Sequence, residues 1–201
     1  MRQKTREICD RQIMSAMMDQ IEILHLAIHD TPFPYIVPLN FGYEWQDNEL
    51  VFFFHSAKAG MKLDLLRRDS HVCVNAASFI SYADGPYHGH LHDYRSVTAY
   101  GMAEEIDPEQ RKAYFLHAHE CLLKHNRREM QPGDEAAMKF ISMWEIRCPA
   151  ETVWGKAEIV PRTVKEVPFY TGPGDGMPLS EQHIIGKESN DQTVSGPHPE
   201  Q

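Results

Sequence analysis

Residues 35–72, YIVPLNFGYEWQDNELVFFFHSAKAGMKLDLLRRDSHV, decide how the rest of the chain is arranged. They open with a run of β-formers, Tyr35 to Tyr43, which turns through Gln46-Asp47-Asn48 and returns as Glu49 to His55. In the return run Leu50, Phe52 and Phe54 alternate with Val51 and Phe53. Apolar residues on both faces of both runs predict strands covered on each side, as in a closed barrel or a sheet buried by a partner. The second strand then passes through Ser56-Ala57-Lys58-Ala59-Gly60 into a helix expected over Met61 to Arg68.

The chemistry is expected at that strand-to-helix junction. The first N–H groups of a helix lack internal acceptors and carry the positive end of its dipole, so they favour an anion. Lys58 and Lys62 are four apart and share a helical face if the helix begins by Ser56, whose hydroxyl adds a further donor. Gly60 lets the backbone approach a ligand closely. The set predicts a phosphate cradle, although no Gly-Lys-Ser/Thr follows as in a P-loop. A capped surface helix with two solvated lysines has the same residues.

The order of matches around the junction is more specific. PYIVPLNFGY (34–43), FHSAKAGMKL (54–63), Arg67-Arg68 and Val72-Cys73 follow one another, and Val97, Gly101 and Ala103 in SVTAYGMA extend the set. This resembles the FMN-binding split-barrel family related to pyridoxamine 5'-phosphate oxidase, and looks closest to its nitroimidazole-resistance flavoproteins. The resemblance runs over residues 2–156. It implies an α+β chain, an antiparallel split β-barrel with flanking helices, and FMN held at a two-fold homodimer interface. It places Lys62 on the family's phosphate-binding lysine, with Lys58, Ser56, Ala57 and His55 beside it. The strand Pro38, Leu39 and Asn40 is assigned to the flavin ring. Phe41, Trp144 and Trp154 are large enough to complete the pocket or to be ordinary core.

Length and composition agree with one domain. The chain has 201 residues, 42% hydrophobic and 24% charged, enough for a core without metals or disulfides. A formal charge of −9 argues against nucleic acid or an anionic membrane surface as partner. No apolar run approaches a membrane span and MRQKTREICDR holds no leader-like apolar stretch, so a cytoplasmic protein is expected. Cys9, Cys73, Cys121 and Cys148 show no CxxC spacing and read as reduced thiols.

Asp10 predicts an N-cap for a helix to about Gln20 with Ile13, Met14, Met17 and Ile21 on one side. Strands are expected at Ile23–His29, His71–Phe79, Tyr94–Glu105, Met138–Cys148 and Glu151–Val160. Asp107-Pro108-Glu109-Gln110 predicts a third helix start. That helix runs to His125, buries Tyr114, Ala118, Cys121 and Leu122, and leaves His117, His119 and His125 in solvent or at its end. Ser81–Asp93 reads as a loop in which His88, His90 and His92 border the flavin pocket, with no metal site assigned. The barrel domain is expected over 1–165 and an extension without its own core over 166–201.

No residue is marked as general base or nucleophile. Flavin chemistry needs none, because electron and hydride transfer reside in the ring. Two functions stay open: an NAD(P)H-dependent oxidoreductase reducing a small acceptor such as a nitroaromatic, or a non-catalytic FMN- or haem-binding protein for storage or sensing. Pyridoxamine phosphate oxidation fits less well, since that enzyme's C-terminal Trp and Arg segment is not found.

Overall fold

The computed structural model describes residues 4–84 and 90–167. Its strands form one antiparallel sheet: β1 (Glu7–Ile8), β2 (Ile23–Ile28), β3 (Tyr35–Asn40), β4 (Gly42–Gln46), β5 (Glu49–Ala57), β6 (His71–Asp84), β7 (His90–Glu105), β8 (Ile141–Pro149) and β9 (Val153–Ala157). Three helices flank it, α1 (Arg11–Met18), α2 (Met61–Arg68) and α3 (Lys112–His125). The strand path is β3-β2-β6-β7-β8-β5-β4, with β9 joined to β7 and β1 to β9. This is the α+β split-barrel arrangement that the sequence implied.

The split occurs along β7. Its Arg95–Ala99 half pairs with β9 and its Met102–Glu105 half pairs with β8. Gly101 stands at the changeover, where a Cβ would lie 2.3 Å from the Arg147 carbonyl oxygen and 2.6 Å from Cys148 Sγ. Only a residue without a side chain lets β8 cross that closely.

The run Tyr35–Tyr43 is two strands, not one. It breaks at Phe41, and β3 and β4 end up at opposite ends of the strand path. The chain itself, and no ladder between those strands, links the two edges. Phe41 is fully buried at this corner, its ring 5.9 Å from Phe52 and 4.3 Å from the imidazole of His125.

Coverage on both faces holds for β5 and fails for β3. Leu50, Phe52 and Phe54 enter the barrel core, while Val51 and Phe53 lie under α3 with Phe115, Ala118 and Met143. In β3 half-buried residues alternate with exposed Ile36, Pro38 and Asn40. It is an edge strand, paired with β2 on one side and with no other strand among the described residues.

Asp10 caps α1 as expected, its carboxylate accepting from the amides of Gln12 and Ile13 at 2.8 and 3.0 Å. The helix buries Ile13, Met14, Met17 and Met18. Asp107 likewise accepts from Glu109 and Gln110, but these residues form a turn and α3 begins at Lys112. Its buried face is therefore Phe115, Ala118, His119 and Leu122; Tyr114 and Cys121 are half-buried. The expectation that His119 lies in solvent or at the helix end is corrected, since it is buried in mid-helix; His125 is the last residue of α3, and its ring pairs with the Ile21 carbonyl at 2.9 Å.

Ser81–Asp93 is not a loop throughout. β6 and β7 continue as a hairpin to the pair Asp84–His90, because the long alternation of Tyr94–Glu105 extends backwards. His90 and His92 are strand residues; His88 and residues 168–201, which hold most of the expected extension, lie outside the described residues. Val167 is still buried, two residues past the expected boundary, and its carbonyl accepts from Gln20 Nε2 at 3.2 Å. β8 begins at Ile141 after a 3-10 turn over Asp134–Lys139, leaving Phe140 outside the ladder and exposed. Among the described residues no helix is long and apolar enough to cross a membrane, and no group of three His, Cys, Asp or Glu could hold a metal ion.

Candidate functional site

The site forms where β5, packed against α3, hands over to α2. β5 is pinned to β8 as far as the pairs His55–Met143, Ser56–Ser142 and Ala57–Ile141. Three bend residues follow and α2 starts at Met61, so Lys58 precedes the helix and does not share a helical face with Lys62. The bend is possible because Gly60 adopts φ 139°, with open space where a side chain would be. Leu63 and Asp64 donate to the Gly60 carbonyl at 2.9 and 3.2 Å, which orients the helix start towards that open space.

Period-2 alternation sends Phe54 into the barrel and His55 towards α3. The His55 ring lies 6.4 Å from that of His119, and Lys62 Nζ sits 5.5 Å above the Phe54 ring. Phe54 is itself stacked on Trp144 at 6.2 Å. Burial holds both imidazoles and the Lys62 ammonium below their ordinary pKa values; His119 and Lys62 depress His55 further through charge. His55 nevertheless keeps an exposed edge. None of the three groups has an ion pair with a carboxylate among the described residues, although Asp134 exerts a weaker opposing pull on His119.

A cavity of about 340 Å³ adjoins this cluster, and Asn40 and His55 both line it. Its remaining wall includes Ile21, Leu122, Leu123 and Asn126, with Asp19, Glu22, His125, Arg127 and Arg128 as its charged or titratable members. The Asn40 amide donates only long hydrogen bonds, 3.4 Å to the Glu22 carbonyl and 3.3 Å to Asn126 Oδ1. Such bonds are readily exchanged for better ones to a ligand.

The expected site residues are thus brought together in part. Asn40, His55 and Lys62 converge, with Ser56, Ala57 and Lys58 on the adjoining strand end. Leu39 packs against the core, and Pro38 stands on the open face of β3. Arg67 and Arg68 are committed elsewhere, to Glu105 and Asp30 at 2.8 Å each. Phe41 and Trp144 are core, whereas Trp154 is half-buried against Tyr100 at 5.2 Å. His119 is missed by a reading as a solvated or capping histidine, although it shares the i, i+3, i+4, i+7 face of Phe115, Ala118 and Leu122.

A second cavity, about 710 Å³, lies between β1, the β4–β5 turn and β9, lined by Arg11, Trp45 and Trp154 among others. None of the expected site residues except Trp154 reaches it. There the Arg11 guanidinium stacks on Trp45 at 4.5 Å and donates to the Asp47 carbonyl at 2.9 Å.

A split barrel with a basic cluster at a strand-to-helix junction defines a class of small-ligand-binding folds. The chain belongs to the pyridoxamine 5'-phosphate oxidase family, whose model matches residues 10–153. Among solved structures it resembles a candidate 5-nitroimidazole antibiotic resistance protein of Bacteroides thetaiotaomicron, with 24% identity over 75% of this chain and 86% of that one, TM-score 0.61. It is also similar to a FAD- and haem-binding protein of Mycobacterium smegmatis, with 16% identity over 96% and 94% of the two chains, TM-score 0.57. A flavocytochrome of Azotobacter vinelandii shares 18% identity over 100% and 86%, TM-score 0.58. A comparison with curated proteins gives no match.

Proposed function

We propose that the protein is an FMN-binding oxidoreductase of the nitroimidazole-resistance type, taking electrons from NAD(P)H and passing them to a small acceptor such as a nitroaromatic. The observation that carries this reading is the convergence of Lys62, His55 and His119, with no carboxylate ion pair among the described residues, in a family-matched fold. Lys62 is a cation partly withdrawn from water that meets no carboxylate among the described residues, which costs stability and favours an anionic ligand.

The residues present fit such a ligand. Lys62 and the start of α2 suit a phosphate, and Gly60 leaves open space beside them. The Asn40 amide suits the polar edge of a flat ring, and the open face of β3 gives it an apolar floor. FMN bound there supplies the hydride and electron transfer. The chain's part is to anchor the phosphate, orient the ring and limit water.

The same reading includes a homodimer, but not for the reason the sequence suggested. Both faces of β5 are covered by this chain's own core and α3. Ile23 and Ile36 on β2 and β3, and Tyr100 and Met102 on β7, are instead exposed on the outer side of the sheet. An apolar surface of that extent favours a second copy, and the partner would complete the ring pocket.

A second reading, a carrier or sensor of flavin or haem, is favoured by the near-complete coverage of this chain by two structures named for haem or cytochrome. Visible absorption separates the two. A flavin spectrum bleached by NADH or NADPH supports the oxidoreductase; an unresponsive flavin or a haem Soret band supports the carrier.

A further inference from the structure

We propose that His55 and His119 act as a proton-coupled phosphate clamp, so that binding a phosphate-bearing flavin takes up protons. The inference rests on the FMN reading and adds residues and a regulation to it. Three elements contribute basic groups to one place: His55 from β5, Lys62 from α2 and His119 from α3. The imidazole rings stand 6.4 Å apart, a gap that one oxyanion spans by accepting from both. His119 is buried and its Nδ1 has no hydrogen-bond partner among the described residues, so that nitrogen is left for a ligand.

The groups facing the pair are known. Lys62 and His119 both oppose the charging of His55, and Asp134 favours the charging of His119. The adjoining cavity adds Asp19, Glu22, His125, Arg127 and Arg128. Without ligand, burial favours the neutral form of both rings, and the charges of His119 and Lys62 add to this at His55. A dianionic phosphate reverses that balance, raising both pKa values in the complex. The contribution to affinity is then complete below the free-protein pKa and is lost as pH rises through the bound-state pKa. Below about pH 6 the phosphate's own second protonation opposes the effect.

The test is calorimetric and fluorimetric titration of the full chain with FMN and with riboflavin, from pH 5.5 to 8.5, in buffers of different ionisation enthalpy. The expected result for FMN is uptake of between half a proton and two protons at about pH 7, with affinity falling roughly tenfold or more between about pH 6.5 and 8.5. Riboflavin, which lacks the phosphate, should show neither effect. His119→Gln should reduce the proton uptake and flatten the FMN profile while leaving riboflavin binding unchanged; His55→Gln provides the same test from the other ring. Tight FMN binding without proton uptake, or equal pH profiles for the two flavins, overturns the clamp alone. Failure of FMN to bind at any pH overturns the clamp and the FMN reading together.

Discussion

At the scale of single residues, the proposed phosphate anchor is Lys62. Its ammonium is half withdrawn from water above Phe54 and meets no carboxylate among the described residues. Charge-assisted bonds to a phosphate are worth about 1.5–3 kcal/mol. Lys62→Ala should therefore weaken FMN by roughly tenfold or more with the circular dichroism spectrum unchanged. Unaltered FMN affinity in a folded variant would remove Lys62 from the site. This residue was legible in the sequence because its spacing from Gly60 and Phe54 lies within one local motif. The approach of His119 to His55 was not legible, since the two are 64 residues apart and the contact depends on how α3 settles on β5.

At the scale of elements, α3 is docked by a buried carboxylate. Glu145 on β8 is almost inaccessible and meets Arg111 and Arg147 at 2.9 Å each and the Tyr114 hydroxyl at 2.7 Å. Without it Arg111 and Arg147 still meet Glu104 and Glu49, at 3.4 and 3.0 Å, so Glu145→Ala should cost about 1–3 kcal/mol in chemical denaturation, from the lost charge-assisted bonds. An unchanged midpoint would show that the apolar contacts of Phe115 and Ala118 hold α3 alone. The far end of α3 responds to acid. Burial keeps the His125 imidazole below its ordinary pKa, so the unfolded chain binds a proton more readily than the folded one. Its contribution is full above about pH 6.5 and is lost as pH falls through the lower folded value. Melting temperature should fall between pH 7.5 and 5.5, and His125→Gln should reduce that fall. An identical pH dependence in the variant would assign it to other groups.

At the scale of the molecule, the split in β7 sets the architecture and Gly101 permits it. Gly101→Val should destabilise the fold by about 1–3 kcal/mol or more, because the obstructing atoms include the backbone of β8. Little of this crossing is visible in sequence alone: alternation marks β7 as a strand but does not say that its halves have different partners. The break at Phe41 was hidden in the same way, since an unbroken apolar run carries no mark of the edge at which it changes sheet position. The class of the fold was legible, because it depends on ordered motifs and not on strand partners. The exposed apolar outer face predicts a dimer of about twice the 23.2 kDa chain by light scattering. A monomer with FMN bound would contradict it.

The central claim is that this chain binds FMN through the β5–α2 junction and uses it as a reductase. The most direct measurement is the visible absorption spectrum of the purified protein after reconstitution with FMN, followed anaerobically on adding NADH or NADPH. The account predicts about one FMN per chain, retained by the native protein, lost with Lys62→Ala, and bleached by the nicotinamide donor. A protein that retains no FMN, or retains it equally without Lys62, would contradict the site; retained FMN that neither donor bleaches would contradict the proposed reductase activity.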